Sequence, residues 1–429
     1  MLHRVMTLDT FTTLCCIMIP VVIVQSNSLV PAWMNRFTDD EMTGVPKHIL
    51  ELQDKHFYPV RRTLQVLLKS SNRRSFAEIN QKTQTRVFHS TNFPCTTNST
   101  RSLIRPSSVH QLRPGDIDII GSIGDSLSVG LGSFSNSIYE VLIESRGVSW
   151  TGGGEGTWKQ YLTLPNIIKM FNPKLFGYAY GDALAEERGS QFNVAETGAL
   201  SVDIFFMTKE LVKRIKNDKR VNLNDDWKLI TIMLGPNTFC LQLCYEDNIK
   251  LLKTYKEKLY NSFLYIKNNL PRTMINFVMS INLNVIINFT GKPLSCQIIN
   301  RGECPCLLTL QYKNKQQDYI NVMEQFKMIE KEVTEMEVFR STEDFVINLQ
   351  TFTKNIMFPL NKFNKTDLTY LSADCFHLSQ KGYARAANAL WNNMMQPVGK
   401  KSVNWSKELD GFICPTDEWP YIRTWKNSN

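Results

Sequence analysis

From Asp116 onward the chain alternates short apolar runs with longer segments whose apolar residues recur at helical spacing. Asp116–Ile123 (DIDIIGSI), Leu229–Leu234 (LITIML) and Met274–Leu283 (MINFVMSINL) are predicted as buried strands. Ser201–Lys216, Tyr245–Asn268 and Ser379–Met395 are predicted as helices, the last with Ala384, Ala387, Leu390, Trp391 and Met394 along one side. Strands separated by helices imply a parallel sheet in an α/β layer fold, with an active site at the carboxyl ends of the strands. Before Asp116 the pattern is weaker. One helix is predicted around His48–Ser70, interrupted by Pro59, and the Ser/Thr/Asn-rich stretch Ser90–Ser108 is expected to be a linker or surface loop.

The N-terminus has the pattern of a signal peptide. Arg4 is followed by the apolar run Leu14–Val24 and by small residues that suit cleavage after Ser26, although Asp9 is unusual in such a segment. The run of 11 residues falls short of the roughly 20 that span a bilayer. No later segment is apolar enough to span, and the polar stretch Asp417–Asn429 offers no C-terminal anchor, so the mature chain is expected to be soluble outside the cell. The expected organisation is a signal peptide at 1–26, an N-terminal extension or cap at 27–107, a catalytic domain at 108–400 and a C-terminal tail packed on it at 401–429.

Cysteine usage agrees with an oxidising compartment. Loss of Cys15 and Cys16 with the signal leaves Cys95, Cys240, Cys244, Cys296, Cys304, Cys306, Cys375 and Cys414, enough for four disulfides whose pairing the spacing leaves open. Cys240-x3-Cys244 and Cys304-Pro305-Cys306 lack nearby histidines, which argues against zinc, and no metal or cofactor is expected. Sequons at Asn98, Asn288, Asn364 and Asn404 are glycosylation candidates. The net charge of +9 suits attraction to anionic lipid surfaces, while the absence of basic and aromatic interleaving argues against nucleic acid.

The candidate chemistry begins at Ile120 with Ile-Gly-Ser-Ile-Gly-Asp-Ser-Leu-Ser, where Ser126 follows a strand among glycines. Such a serine is presented at the sheet's edge, and a following helix turns its first amides toward developing negative charge; an ordinary helix-capping serine is the plainer reading. A hydroxyl nucleophile needs a base. Of six histidines, only His377 lies in the α/β region, with Asp374 three residues earlier to orient it. Gly198, through its amide, and Asn237, through its side chain, are candidate oxyanion donors, although Gly and Asn also dominate ordinary turns.

These four sites, in this order, resemble the GDSL, or SGNH, hydrolase family, whose hallmark Ser, Gly, Asn and His fall on Ser126, Gly198, Asn237 and His377. Leu112–Asp116, Arg146–Trp150, Leu164–Ile167, Phe171–Pro173, Asn193–Ala195, Asp226–Leu229, Asp374–His377 and Ala389–Met394 carry the resemblance toward the family's phospholipase B branch. The resemblance implies a flavodoxin-like three-layer α/β/α sandwich with a mainly parallel sheet. It implies ester hydrolysis of phospholipids or other lipid esters, at a membrane surface, through an acyl-serine. Ser126 would then be the nucleophile, His377 base and then acid, and Asp374 its orienter; the Ser126 and Gly198 amides and the Asn237 side chain would form the oxyanion hole. Trp150, Phe171, Phe176 and Tyr178 are either acyl-chain contacts or core. One departure stands out: the family's Gly-x-Asn-Asp is here Gly235-Pro236-Asn237-Thr238. It motivates an alternative, a secreted lipid-binding protein without activity, which the joint presence of Ser126, Asp374 and His377 opposes.

Overall fold

The computed structural model describes residues 58–68, 72–97, 100–405 and 407–428. The expected signal peptide, the part of the predicted first helix before Tyr58, and Asn98 lie outside these residues. Four parallel strands form the central sheet: β1 (Ile117–Gly124), β2 (Trp227–Met233), β3 (Thr273–Val278) and β4 (Phe345–Gln350), side by side in chain order. Outside β1 the stretch from Phe176 to Asn193 makes isolated parallel bridges to Ile119 and Ser122, extending the sheet without forming a regular strand.

Alternate side chains of the strands enter two cores. Ile230, Ile232, Ile275, Phe277, Phe345 and Ile347 pack with α1 (Ile204–Asn217), α2 (Asn248–Asn269) and α3 (Gln316–Thr334). Leu229, Met233, Met274, Val278 and Val346 pack on the other face with α4 (Gln380–Met395) through Tyr383, Leu390, Trp391 and Met394. Both faces of the sheet are therefore covered, as an all-parallel sheet requires. The molecule is a three-layer α/β/α sandwich, as the apolar pattern and the family resemblance anticipated. α4 begins where expected because the Ser379 hydroxyl caps it, accepting from the Gly382 amide.

The eight cysteines pair as Cys95–Cys414, Cys240–Cys304, Cys244–Cys306 and Cys296–Cys375. The first ties the Ser90–Ser108 stretch to the C-terminal segment. Phe93 makes edge contacts with Trp158, Phe171 and Phe412, and the Ser102 amide and hydroxyl both donate to Asp116. The stretch is thus a strap over the domain rather than a linker. Earlier residues also dock. Ala77 is buried with Phe134 and Val148, and Arg73 pairs with Asp182 out of contact with water. The C-terminal segment buries Trp405 and Ile422, and the Ile422 amide donates to Leu112.

Candidate active site

β1 is buried along its whole length and ends at Gly124, where an added Cβ would lie 2.2 Å from Ser128 Oγ and 2.7 Å from the Met233 carbonyl. Only glycine fits that turn. Asp125 caps the single helical turn Ser126–Val129 by accepting from the Leu127 amide at 3.0 Å. Its other oxygen is buried with no hydrogen-bond partner among the described residues. Burial raises the Asp125 pKa to about 7, with the Leu127 amide and the His377 charge pulling the other way.

His377 reaches Ser126 from the far end of the chain. The loop that carries it crosses Gly132 (φ +75°), where a Cβ would sit 2.7 Å from Ser372 Cβ. The Ala373 amide donates to Ser135 Oγ at 2.9 Å, and the Gln380 amide to the Ser133 carbonyl at 2.8 Å. His377 Nε2 lies 2.9 Å from Ser126 Oγ, and Nδ1 lies 2.6 Å from Asp374 Oδ2. Nδ1 therefore donates to the carboxylate, and Nε2 accepts from the hydroxyl. The three-residue spacing is realised in a turn ahead of α4, not on a helix. There Asp374 Oδ1 accepts from the Phe376 amide at 2.8 Å, the His377 amide at 3.0 Å and the Ser372 hydroxyl. Burial raises the Asp374 pKa, but the His377 charge and these hydrogen bonds outweigh it and bring the group down to about 2.

The other two candidate residues lie on a loop and on a helix that hydrogen-bonds to it. Gly198 has φ +82°, with nothing within 4 Å of where a Cβ would stand. Its loop is joined to the end of β1 by the Glu196 amide, which donates to Gly124 at 3.0 Å. Asn237 sits in the first turn of the Pro236–Leu241 helix, and its Nδ2 donates to the Ala199 carbonyl at 3.0 Å. Thr238 is fully buried, and its Oγ1 accepts from the Ser201 amide at 2.8 Å. Thr238 thus ties the Asn237 helix to the Gly198 loop.

Sequence reasoning gave no role to the support beneath that loop. Glu144 and Arg146 form a fully buried ion pair at 2.8 Å. Thr197 Oγ1 donates to Glu144 at 2.7 Å, Arg146 Nη1 donates to the Asn193 carbonyl at 3.0 Å, and Asn193 Nδ2 donates to the Ser128 carbonyl at 2.9 Å. The chain thereby links the Ser126 turn to Gly198 through satisfied buried groups. The available signal was Glu144 and Arg146 flanking one residue shortly before the glycine run Gly152–Gly154, a pattern more often found on a solvated surface.

A largely apolar cavity opens beside these residues. Leu127, Pro236 and Phe376, the neighbours of Ser126, Asn237 and His377, line it together with Trp150, Ile286 and Phe289. Trp150 is held by its indole N–H, which donates to the Leu127 carbonyl at 3.1 Å. Of the four aromatic residues singled out from the sequence, Trp150 alone lines this cavity. Phe171 stacks on Trp391 in the core, Phe176 packs against Phe192 and Arg220, and Tyr178 lies under Lys169.

Residues 120–390 match the model of the family described as GDSL-like Lipase/Acylhydrolase. The chain belongs to that family. It is 35% identical over 326 residues to membrane-associated phospholipase B1 of Homo sapiens, an alignment covering 75% of this chain and 22% of that one. The Rattus norvegicus protein of the same name is 34% identical over 338 residues, 78% of this chain and 23% of that one. The chain therefore spans less than a quarter of the length of the relatives it matches. Among solved structures, phospholipase A1 from Streptomyces albidoflavus NA297 overlaps 62% of this chain and 95% of its own at 12% identity, with a TM-score of 0.27. No helix among the described residues is long and apolar enough to cross a membrane.

Glu303, Asp374 and His377 form a group of potential ligand atoms within 4.8 Å of one another. A cation bound among them would have to break the 2.6 Å contact between His377 and Asp374.

Proposed function

We propose that the chain hydrolyses the ester bonds of glycerolipids, phospholipids among them, with Ser126 as nucleophile. The observation that carries this reading is an aligned Ser126–His377–Asp374 chain beside a largely apolar cavity lined by the neighbours of Ser126 and His377. His377 Nε2 takes the hydroxyl proton as Ser126 Oγ attacks the ester carbonyl. The amides of Ser126 and Gly198 and the second N–H of Asn237 Nδ2 receive the developing oxyanion. Collapse expels the alcohol, protonated by His377, and leaves an acyl-serine. Water, deprotonated by His377, then releases the fatty acid. The acyl chain lies along Trp150, Ile286 and Phe289, where burial of its methylenes favours long-chain substrates. The four disulfides together with the apolar N-terminal run support secretion, and the exposed Asn288 and Asn364 are the sites we propose for glycans.

The test is fatty-acid release by the purified protein from phospholipid, lysophospholipid, triglyceride and short-chain esters. Release from the lipid esters, abolished in Ser126→Ala, is expected. A folded wild-type protein that releases nothing from any ester while still binding lipid would leave the non-enzymatic reading in its place.

A further inference from the structure

The Leu294–Glu303 helix lies against the loop that carries Asp374. Two disulfides hold it there. Cys296 is joined to Cys375, the residue after Asp374, and Cys304, the residue after Glu303, is joined to Cys240 on the helix of Asn237. Asn300, almost fully buried, donates from Nδ2 to the Asp374 carbonyl at 2.7 Å and to Glu303 Oε2 at 3.2 Å. These restraints bring the Glu303 carboxyl to within 4.8 Å of both the Asp374 carboxylate and the His377 imidazole. The chemistry assigned above uses only one of the two carboxyls.

We propose that Glu303 is a positioning residue that acts through Asp374, its carboxyl proton shared with the Asp374 carboxylate. Asp374 Oδ1 is saturated by the Ser372 hydroxyl and the Phe376 and His377 amides, whereas Oδ2 carries only the His377 Nδ1–H. Oδ2 thus has room for one more donor, and a protonated Glu303 supplies it. Two carboxyls this close do not both ionise. Asp374, with three donors on Oδ1 and the imidazole on Oδ2, is the one that does. Burial, the Asp374 charge and a hydrogen bond with Asp374 push the Glu303 pKa well up, against the opposing Asn300 donor. The other titratable groups facing the pair are Lys82 and Tyr383, which feel the Asp374 charge, Asp125, which feels His377, and Lys292, 3.3 Å from Asn300 Oδ1. A proton shared at Oδ2 withdraws negative charge from the imidazole and so limits how tightly His377 holds its own proton.

This inference rests on the Ser126–His377–Asp374 reading, but its test does not depend on turnover. The His377 ring is titrated by NMR in protein labelled at histidine nitrogen, with His377→Gln assigning the signal, alongside the pH profile of kcat/KM. Glu303→Gln keeps a neutral donor and should leave the His377 midpoint in place. Glu303→Met fills similar space without a donor and should raise the midpoint by about one pH unit, moving the acid limb of kcat/KM with it. Glu303→Ala serves the same purpose should the methionine variant not fold. A midpoint unmoved in the donor-free variants would overturn the proposal, as would a Gln variant that shifts as far as they do. A wild-type protein that titrates as described but hydrolyses no ester would count against the proposed function alone.

Discussion

Replacing Asn237 by Ala removes two things that the structure separates. Nδ2 donates one hydrogen to the Ala199 carbonyl at 3.0 Å, and its second hydrogen is free for the substrate. Loss of the first costs about 1 kcal/mol of stability, the usual net value of a neutral hydrogen bond. That is a few degrees of melting temperature at most in a domain of this size. Loss of the second removes an oxyanion donor, which lowers kcat by roughly 10²- to 10³-fold, or about 2.7–4 kcal/mol. Because that interaction forms in the transition state, KM should change little. Thr238→Val is the companion variant. It leaves Asn237 in place but strips the acceptor from the buried Ser201 amide, so it should cost about 1–3 kcal/mol of stability with a smaller fall in kcat than Asn237→Ala. Steady-state hydrolysis of a chromogenic ester and thermal unfolding measure all of these. An Asn237→Ala enzyme with kcat within about fivefold of wild type would refute the assignment and leave Asn237 as a loop tether only.

Three further outcomes are expected. Asp125 has a folded pKa of about 7 against a usual value of 3.8, so its contribution to stability is full below about pH 4 and is lost as pH rises through 7. The integrated effect is up to roughly 4 kcal/mol; Asp125→Asn, which keeps the cap, should flatten the decline in thermal stability between pH 5 and 8. Asp374 has the opposite sign: its folded pKa of about 2 gives stability that is present above about pH 4 and lost as pH falls toward 2, a limb that should persist in Asp125→Asn. Ile286→Trp partly fills the apolar cavity and should cut hydrolysis of a palmitoyl ester relative to a butyryl ester by about tenfold, and equal losses on both would count against the cavity as the acyl site.

The parts of the fold legible in the sequence were those in which composition and period agree. β1 and β2 concentrate apolar residues, Ile117, Ile119, Ile120 and Ile123 in one and Leu229, Ile230, Ile232 and Met233 in the other, and α4 places its apolar residues on the side that meets the sheet. β3 ends at Val278, well before the predicted Leu283, because Ser280 turns away to pair with Glu330 and the Leu234 carbonyl. β4 was missed because Asn348 and Gln350 interrupt its apolar pattern. Both are buried, and Gln350 donates to Asn276 on β3 at 2.8 Å. Polar pairs inside a sheet leave no periodic trace. At the candidate site, the choice of His377 followed from elimination among six histidines, and the fold places its Nε2 2.9 Å from Ser126 Oγ. The Glu144–Arg146 support and the Glu303 carboxyl depend on contacts across distant segments, which no local spacing encodes.

The central claim is that Ser126 is an activated nucleophile. Incubation of the purified protein with a fluorophosphonate, followed by mass spectrometry of its peptides, tests this directly. One phosphonyl adduct is expected, on Ser126, formed far more slowly in His377→Ala and absent in Ser126→Ala. Folded wild-type protein that stays unlabelled, or that carries the adduct on another residue, would contradict it.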